Sequence, residues 1–246
     1  MTIESGAVDS PVGPHEDEPH GDSINSRLNW LRAGVLGGND GIVSTAGIVM
    51  GAAGATSDRT TILIAGIAGL AAGALSMAAG EYVSVSTQRD SERALLAKER
   101  AELEDEPEEE LAELAGLYVE KGLSESLALQ VAQKLTAHDA LAAHAEAELG
   151  IDPDDLTNPW HAAWASMLAF ILGALLPLLT ITLTPAALRV WATVAAVGVA
   201  LAFTGWLSAR LGHSAAGRAV ARNVGGGVLA MAVTYGVGVL LGTQIG

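Results

Sequence analysis

The run from Thr60 to about Glu113 limits the possible folds more than any other stretch. It opens as TTILIAGIAGLAAGALSMAAGEYVSVS, in which Glu81 is the only charge. It continues as QRDSERALLAKERAELEDEPEEELAELAGLY, and no Gly or Pro interrupts it between Gly80 and Pro107. About 20 apolar residues rising 1.5 Å each cross a hydrocarbon core of about 30 Å. The pattern therefore predicts one helix that leaves the lipid and becomes a carboxylate-covered rod in water.

Four further segments have the length and apolarity of spans. They are Asn29–Ala55, Trp160–Leu183 with an expected kink at Pro177, Ala186–Ser208 and Ala219–Ile245; Thr60–Val85 is the second in chain order. The chain of 246 residues is 50% hydrophobic but only 4% aromatic and 17% charged, a poor composition for a soluble domain. The expected fold is an all-α integral membrane protein. Five transmembrane helices carry a three-helix metal-binding insertion between spans two and three.

Domain boundaries follow from composition. Residues 1–26 read as a disordered acidic tail, with His15 and His20 among its acids. No basic segment followed by an apolar one opens it, so no cleaved signal peptide is expected. Residues 27–88 hold spans one and two, 89–158 the acidic insertion that continues from span two, and 159–246 spans three to five. The distribution of Lys and Arg places the N-terminus and the insertion in the cytoplasm, with Arg59 and Arg189 on the far side. A prokaryotic cell membrane is the expected location.

Charge and residue types exclude several functions. The net charge is −15, and residues 89–158 carry 19 of the 28 acids against six bases. That surface repels nucleic acid and attracts cations. The absence of Cys excludes disulfides, thiolate metal sites and thiol catalysis.

Asp40, in GGNDGIVSTAG, lies inside the first span, where a charge must be hydrated or paired. It reads as a cation site or proton carrier, against a purely structural acid. Met77 and Glu81 are four residues apart on one face of span two. A thioether beside a carboxylate suits a borderline divalent metal better than Mg²⁺ or Ca²⁺. Read alone, Met77 is core filler and Glu81 an interfacial acid.

In the insertion, Pro107 fits the first position of a new helix that Gly122 ends. A third helix is expected from near Ser124 to Gly150. Glu99/Glu102 and Glu110/Glu113 are i, i+3 pairs, and His144/Glu148 an i, i+4 pair. Carboxylates with one imidazole suit Fe²⁺, Mn²⁺ or Zn²⁺; a solvated acidic surface is the alternative.

NDGIVST in span one, LSMAAGEYVS closing span two, ERAELEDEPEEELAELAGLYVEKGL on the rod and AELGI closing the insertion together resemble the vacuolar iron transporter family. The resemblance covers roughly residues 25–246. It implies a homodimer with its pore at the dimer interface and export of Fe²⁺, often also Mn²⁺, from the cytoplasm in exchange for protons. It also implies transport-path roles for Asp40 and Met77, and metal ligation by Glu99, Glu102, Glu110, Glu113 and Glu148. Two positions depart from the pattern. His144 stands where some members carry Met, and Gly69 where some carry an intramembrane acid.

The resulting expectation is a transporter, not an enzyme, with no prosthetic group and with Fe²⁺ or Mn²⁺ as carried and bound ions. Its partners are divalent metal ions, protons, the bilayer and a second copy of the chain, with no nucleic acid. The rival is a membrane metal sensor or buffer. A redox enzyme is disfavoured, because no His lies inside a span, His161 and His213 standing at span ends, and no His follows a Glu by three residues, the spacing of a di-iron bundle.

Overall fold

The computed structural model describes residues 24–212 and 214–245, all in helices and their connections, with no strand among the described residues. The expectations for residues 1–23 of the tail, His15 and His20 included, and for His213 lie outside the described residues, while Ile24–Ser26, expected as the end of that disordered tail, are helical.

Helix α1 spans Ile24–Ala55 and is followed, after three residues, by α2, Arg59–Asp105. The 47 residues of α2 make a rod of about 70 Å. It passes Gln88 without a break, as the uninterrupted run predicts. Asp58 caps its start, accepting the Thr61 N–H at 2.7 Å and the Thr61 hydroxyl at 2.6 Å. It stops at Glu106, whose ψ of 49° leaves the helical region; the residue before a proline is pushed out of it.

Pro107 then opens α3, Pro107–Glu120, with Glu108, Glu109 and Glu110 in its first turn, where the helix dipole favours acids. Gly122, at φ 100°, turns the chain into α4, Glu125–His144. A single regular helix from Ser124 to Gly150 is not what forms. Asp139 breaks the backbone (φ −158°, ψ 101°), and its Oδ1 then accepts the Ala142 N–H at 2.9 Å, restarting the helix as a cap would. Ala145–Leu149 follow as one π-helical turn, closed by Gly150 at φ 64°. The wider turn alters the register that the i, i+4 spacing of His144 and Glu148 assumes.

The chain returns through α5, Pro159–Leu183, α6, Arg189–Leu211, and α7, Ala216–Ile245. Helix α5 runs on through Pro177, which is buried. Four helices, α2, α5, α6 and α7, are long and apolar enough to cross a membrane. Helix α1, which carries Asn29, Arg32, Asn39 and Asp40, is not among them. Their outward faces expose Leu172, Trp191, Val199 and Leu240, each at 70% or more. Such a surface suits lipid and not water.

Helix α1 is nonetheless the centre of the bundle. Its Ile42, Ala46, Val49 and Met50 meet Ile62 of α2, Leu178 and Ile181 of α5, Val197 and Leu201 of α6 and Met231 of α7. Small residues permit this, because lipid supplies no hydrophobic drive and helices must touch closely to gain dispersion energy. A Cβ on Gly41 would strike the Phe170 carbonyl, one on Gly173 the Gly38 carbonyl, and one on Gly238 the Gly51 carbonyl. The first half of α1 thus lies backbone-to-backbone on α5, and its second half on α7.

At the end of the bundle away from the rod, two arginines tie the short connections together. Arg189, 5% exposed, donates to the Ser57 carbonyl at 2.9 Å, and Arg59 donates to the Thr184 carbonyl at 3.4 Å.

Candidate metal centre

Three chain segments converge beyond the apolar part of α2. Glu99 comes from the rod itself, Glu110 from α3 one turn after the Pro107 break, and His144 from the end of α4. The break at Glu106 folds α3 back beside α2, and the Asp139 kink and π turn deliver His144 between them. His144 is fully buried, with Glu99 3% and Glu110 7% exposed. Nδ1 of His144 lies 3.0 Å from Glu99 Oε1 and 3.5 Å from Glu110 Oε2.

Glu99 Oε1 and both nitrogens of His144 are buried without a hydrogen-bond partner. Buried polar atoms are rarely left so, because desolvation costs about 1–3 kcal/mol per group. Three of them in one place mark a position for a cation, which the Glu99 oxygen and the one lone-pair nitrogen of a neutral His144 ring would hold. Glu148, exposed on the π turn, completes a set: Glu99, His144 and Glu148 each bring a ligand atom within 4.8 Å of the others.

The electrostatics agree. Burial, and then the charges of Glu148, Glu110 and Glu102, push Glu99 up to about 7. Burial also raises Glu110, with Glu113 adding to the effect and His144 opposing it. Crowded, desolvated carboxylates are held charged only at a cost, and a divalent cation removes that cost by supplying the missing positive charge.

The other expected ligands stand further out. Glu102 is taken up by Lys98, whose Nζ lies 2.7 Å from both of its oxygens. Glu113 is exposed and reaches the cluster through its charge on Glu110.

The residues expected on a transport path, Asp40, Met77 and Glu81, lie along the bundle. Asp40 is half-buried, and its Oδ1 accepts the Ser44 hydroxyl at 2.8 Å. Asp40, Ser44, Gly47 and Gly51 recur at i, i+4, i+7 and i+11, hence on one face of α1. Ser44, Gly47 and Gly51 line a groove of about 630 Å³ between α1, α2 and α7, whose only other polar lining residue is Thr234. Met77 packs against the cluster of Ala74, Phe170 and Ala174. Phe170 sets its carbonyl against Gly41, the neighbour of Asp40, and its ring against Gly73, one turn before Met77. Glu81 is half-buried, and the adjacent Tyr82 stacks on Trp160 at 4.7 Å, where the rod passes the start of α5.

One polar group was not anticipated as a unit. Asn39 Oδ1 receives Thr204 Oγ1 from α6 and Asn223 Nδ2 from α7, each at 3.3 Å. Asn39 beside Asp40 in the first span and Asn223 inside the fifth apolar run were its sequence signals, since a threonine in a span ordinarily bonds its own helix.

A profile of the VIT family matches residues 31–239. The chain belongs to the VIT family. The vacuolar iron transporter of Acanthamoeba castellanii is 45% identical over 228 residues, 92% of this chain and 83% of that one. Vacuolar iron transporter homolog 1 of Arabidopsis thaliana is 37% identical over 229 residues, 93% of this chain and 91% of that one. VIT-like transporter 1b of Glycine max is 34% identical over 219 residues, 89% and 79% of the two chains. The resemblance drawn from the four motifs is thereby confirmed for this VIT-family chain, and it extends across the spans and the insertion alike.

Proposed function

We propose that this chain carries Fe²⁺, and also Mn²⁺, out of the cytoplasm in exchange for protons. In this reading α1 is the first of five spans, residues 27–88 and 159–246 form the membrane unit, and 89–158 are a cytoplasmic metal-capturing domain. The observation that carries it is the buried Glu99–Glu110–His144 cluster, whose Glu99 stands on a helix that continues unbroken from an apolar, span-length segment. Capture at that cluster raises the metal concentration beside the mouth of the bundle. From there Met77 and Asp40 pass the ion along the groove face of α1 while a proton returns on Asp40. A carboxylate can hold either cation, so one side chain serves both legs. A second copy laid against the open groove would close it into a pore, which makes the working unit a homodimer.

The rival is a membrane metal sensor or buffer, favoured by one observation: the cluster is complete without any residue of the spans. Flux separates the two. Purified protein in sealed vesicles takes up Mn²⁺ when a pH gradient is imposed, and uptake stops when a protonophore collapses it. Metal retained on the protein with no gradient-dependent uptake would leave the buffer standing.

A further inference from the structure

We infer that Asn39 is a positioning residue that fixes the rotation of α1 and so keeps Asp40 on the helix face that carries the groove residues Ser44, Gly47 and Gly51; this rests on the reading of Asp40 as a transport-path acid. Around Asn39, helix α1 has two flanks occupied by neighbouring helices. Gly37, Gly38 and Gly41 lie against the α5 backbone. Roughly opposite, at 100° per residue, Asn39 is held by Thr204 of α6 and Asn223 of α7. The flank left between them is the one on which Asp40 lies, above Ser44, Gly47 and Gly51 of the groove. Adjacent residues on a helix cannot turn independently. An amide tied to two neighbouring helices therefore decides where the next side chain points.

The glycines cannot do this alone. They set how near α1 comes to α5, but a smooth glycine surface resists rolling weakly. Directional bonds resist it, and in lipid a released amide finds no water to replace them. The device is also adjustable. The Thr204 hydroxyl has one proton and two acceptors in reach, Asn39 Oδ1 at 3.3 Å and its own helix's Leu201 carbonyl at 3.2 Å. When it turns to Leu201, the Asn39 amide is held by Asn223 alone, and Asp40 gains freedom to turn without a break in any helix.

The test compares Asn39→Ala, Thr204→Val, Thr204→Ser and Asp40→Asn in vesicles, with Mn²⁺ as the probe under a fixed pH gradient. Expected for Asn39→Ala and Thr204→Val is a maximal rate down about five-fold, in keeping with one or two intramembrane hydrogen bonds, with the half-saturating Mn²⁺ concentration unchanged. Thr204→Ser, which keeps the hydroxyl, should transport as wild type, and the double variant Asn39→Ala/Thr204→Val should be no slower than Asn39→Ala alone. Rates are taken per folded protein, because unfolding alone would also lower the maximal rate and leave half-saturation unchanged; a deficit that vanishes on that basis overturns the inference. Full maximal rate in Asn39→Ala beside a dead Asp40→Asn overturns the inference while leaving the transport reading intact. Full rate in Asp40→Asn removes the premise and the inference together. Thr204→Ser failing as badly as Thr204→Val also overturns it, because the hydroxyl would then not be the active feature.

Discussion

His144 Nδ1 and Glu99 Oε1 sit 3.0 Å apart in a place shielded from water, and neither atom completes a hydrogen bond. A carboxylate pushed up to about 7 beside an unpartnered imidazole is poised to trade a proton for a metal ion at neutral pH.

The first consequence concerns stability without metal. In the folded chain the pKa of Glu99 lies above the 4.5 of an ordinary glutamate. The folded form therefore binds more protons than the unfolded one between about pH 4.5 and 7, and stability falls as pH rises through that window. The insertion in metal-free protein should melt higher at pH 5 than at pH 8, by no more than a few kcal/mol in free energy. Mn²⁺ should restore it at pH 8. Glu99→Gln should flatten the pH dependence, raise the metal-free melting temperature at pH 8 and weaken metal binding. Thermal melts followed across pH with and without Mn²⁺ would check all three.

Metal binding near neutral pH should release protons, chiefly from Glu99. Calorimetry in buffers of different ionisation enthalpy counts them. Release should be larger at pH 6.5 than at pH 8.5, where Glu99 is already ionised. Equal release at the two pH values would remove Glu99 from the exchange.

His144 should shape metal preference. Imidazole favours later, more strongly nitrogen-binding ions over Mn²⁺. His144→Ala should lower affinity for Co²⁺ and Zn²⁺ about ten-fold or more, with a smaller loss for Mn²⁺. His144→Met should narrow the gap between Zn²⁺ and Mn²⁺. Competition binding on detergent-solubilised protein measures both.

The helix contacts predict which glycines tolerate a methyl group. Gly173→Ala and Gly238→Ala would each press a Cβ on a backbone carbonyl that cannot move aside. Each should destabilise the bundle by about 1–3 kcal/mol. Gly198 and Gly225 meet nothing within 4 Å, and alanine there should be neutral or slightly stabilising through helix propensity. Thermal unfolding in detergent ranks the four.

Much of this was readable from residue order, for identifiable reasons. The unbroken rod follows from the lack of Gly and Pro between Gly80 and Pro107, and its end from Pro107 itself. Glu99, Glu110, His144 and Glu148 share ligand-type chemistry that spacing exposes. Their convergence was not readable, because it depends on the Asp139 kink and the π turn, and no periodicity signals either one. Nor did spacing separate Glu99 from Glu102, since the choice is made by Lys98 reaching across one turn. The Asn39 contacts join residues 165 and 184 positions apart, a relation that only the packed bundle creates.

The central claim is that metal captured at the Glu99–His144 cluster crosses the membrane against protons. The most direct measurement follows Mn²⁺ entry and lumenal pH together in the same sealed, acid-loaded vesicles with the insertion facing outward. The account predicts Mn²⁺ accumulation with matching alkalinisation of the lumen, both lost in Asp40→Asn, which still binds Mn²⁺ at the insertion. Mn²⁺ bound to the outer face while lumenal Mn²⁺ and pH stay unchanged would contradict it.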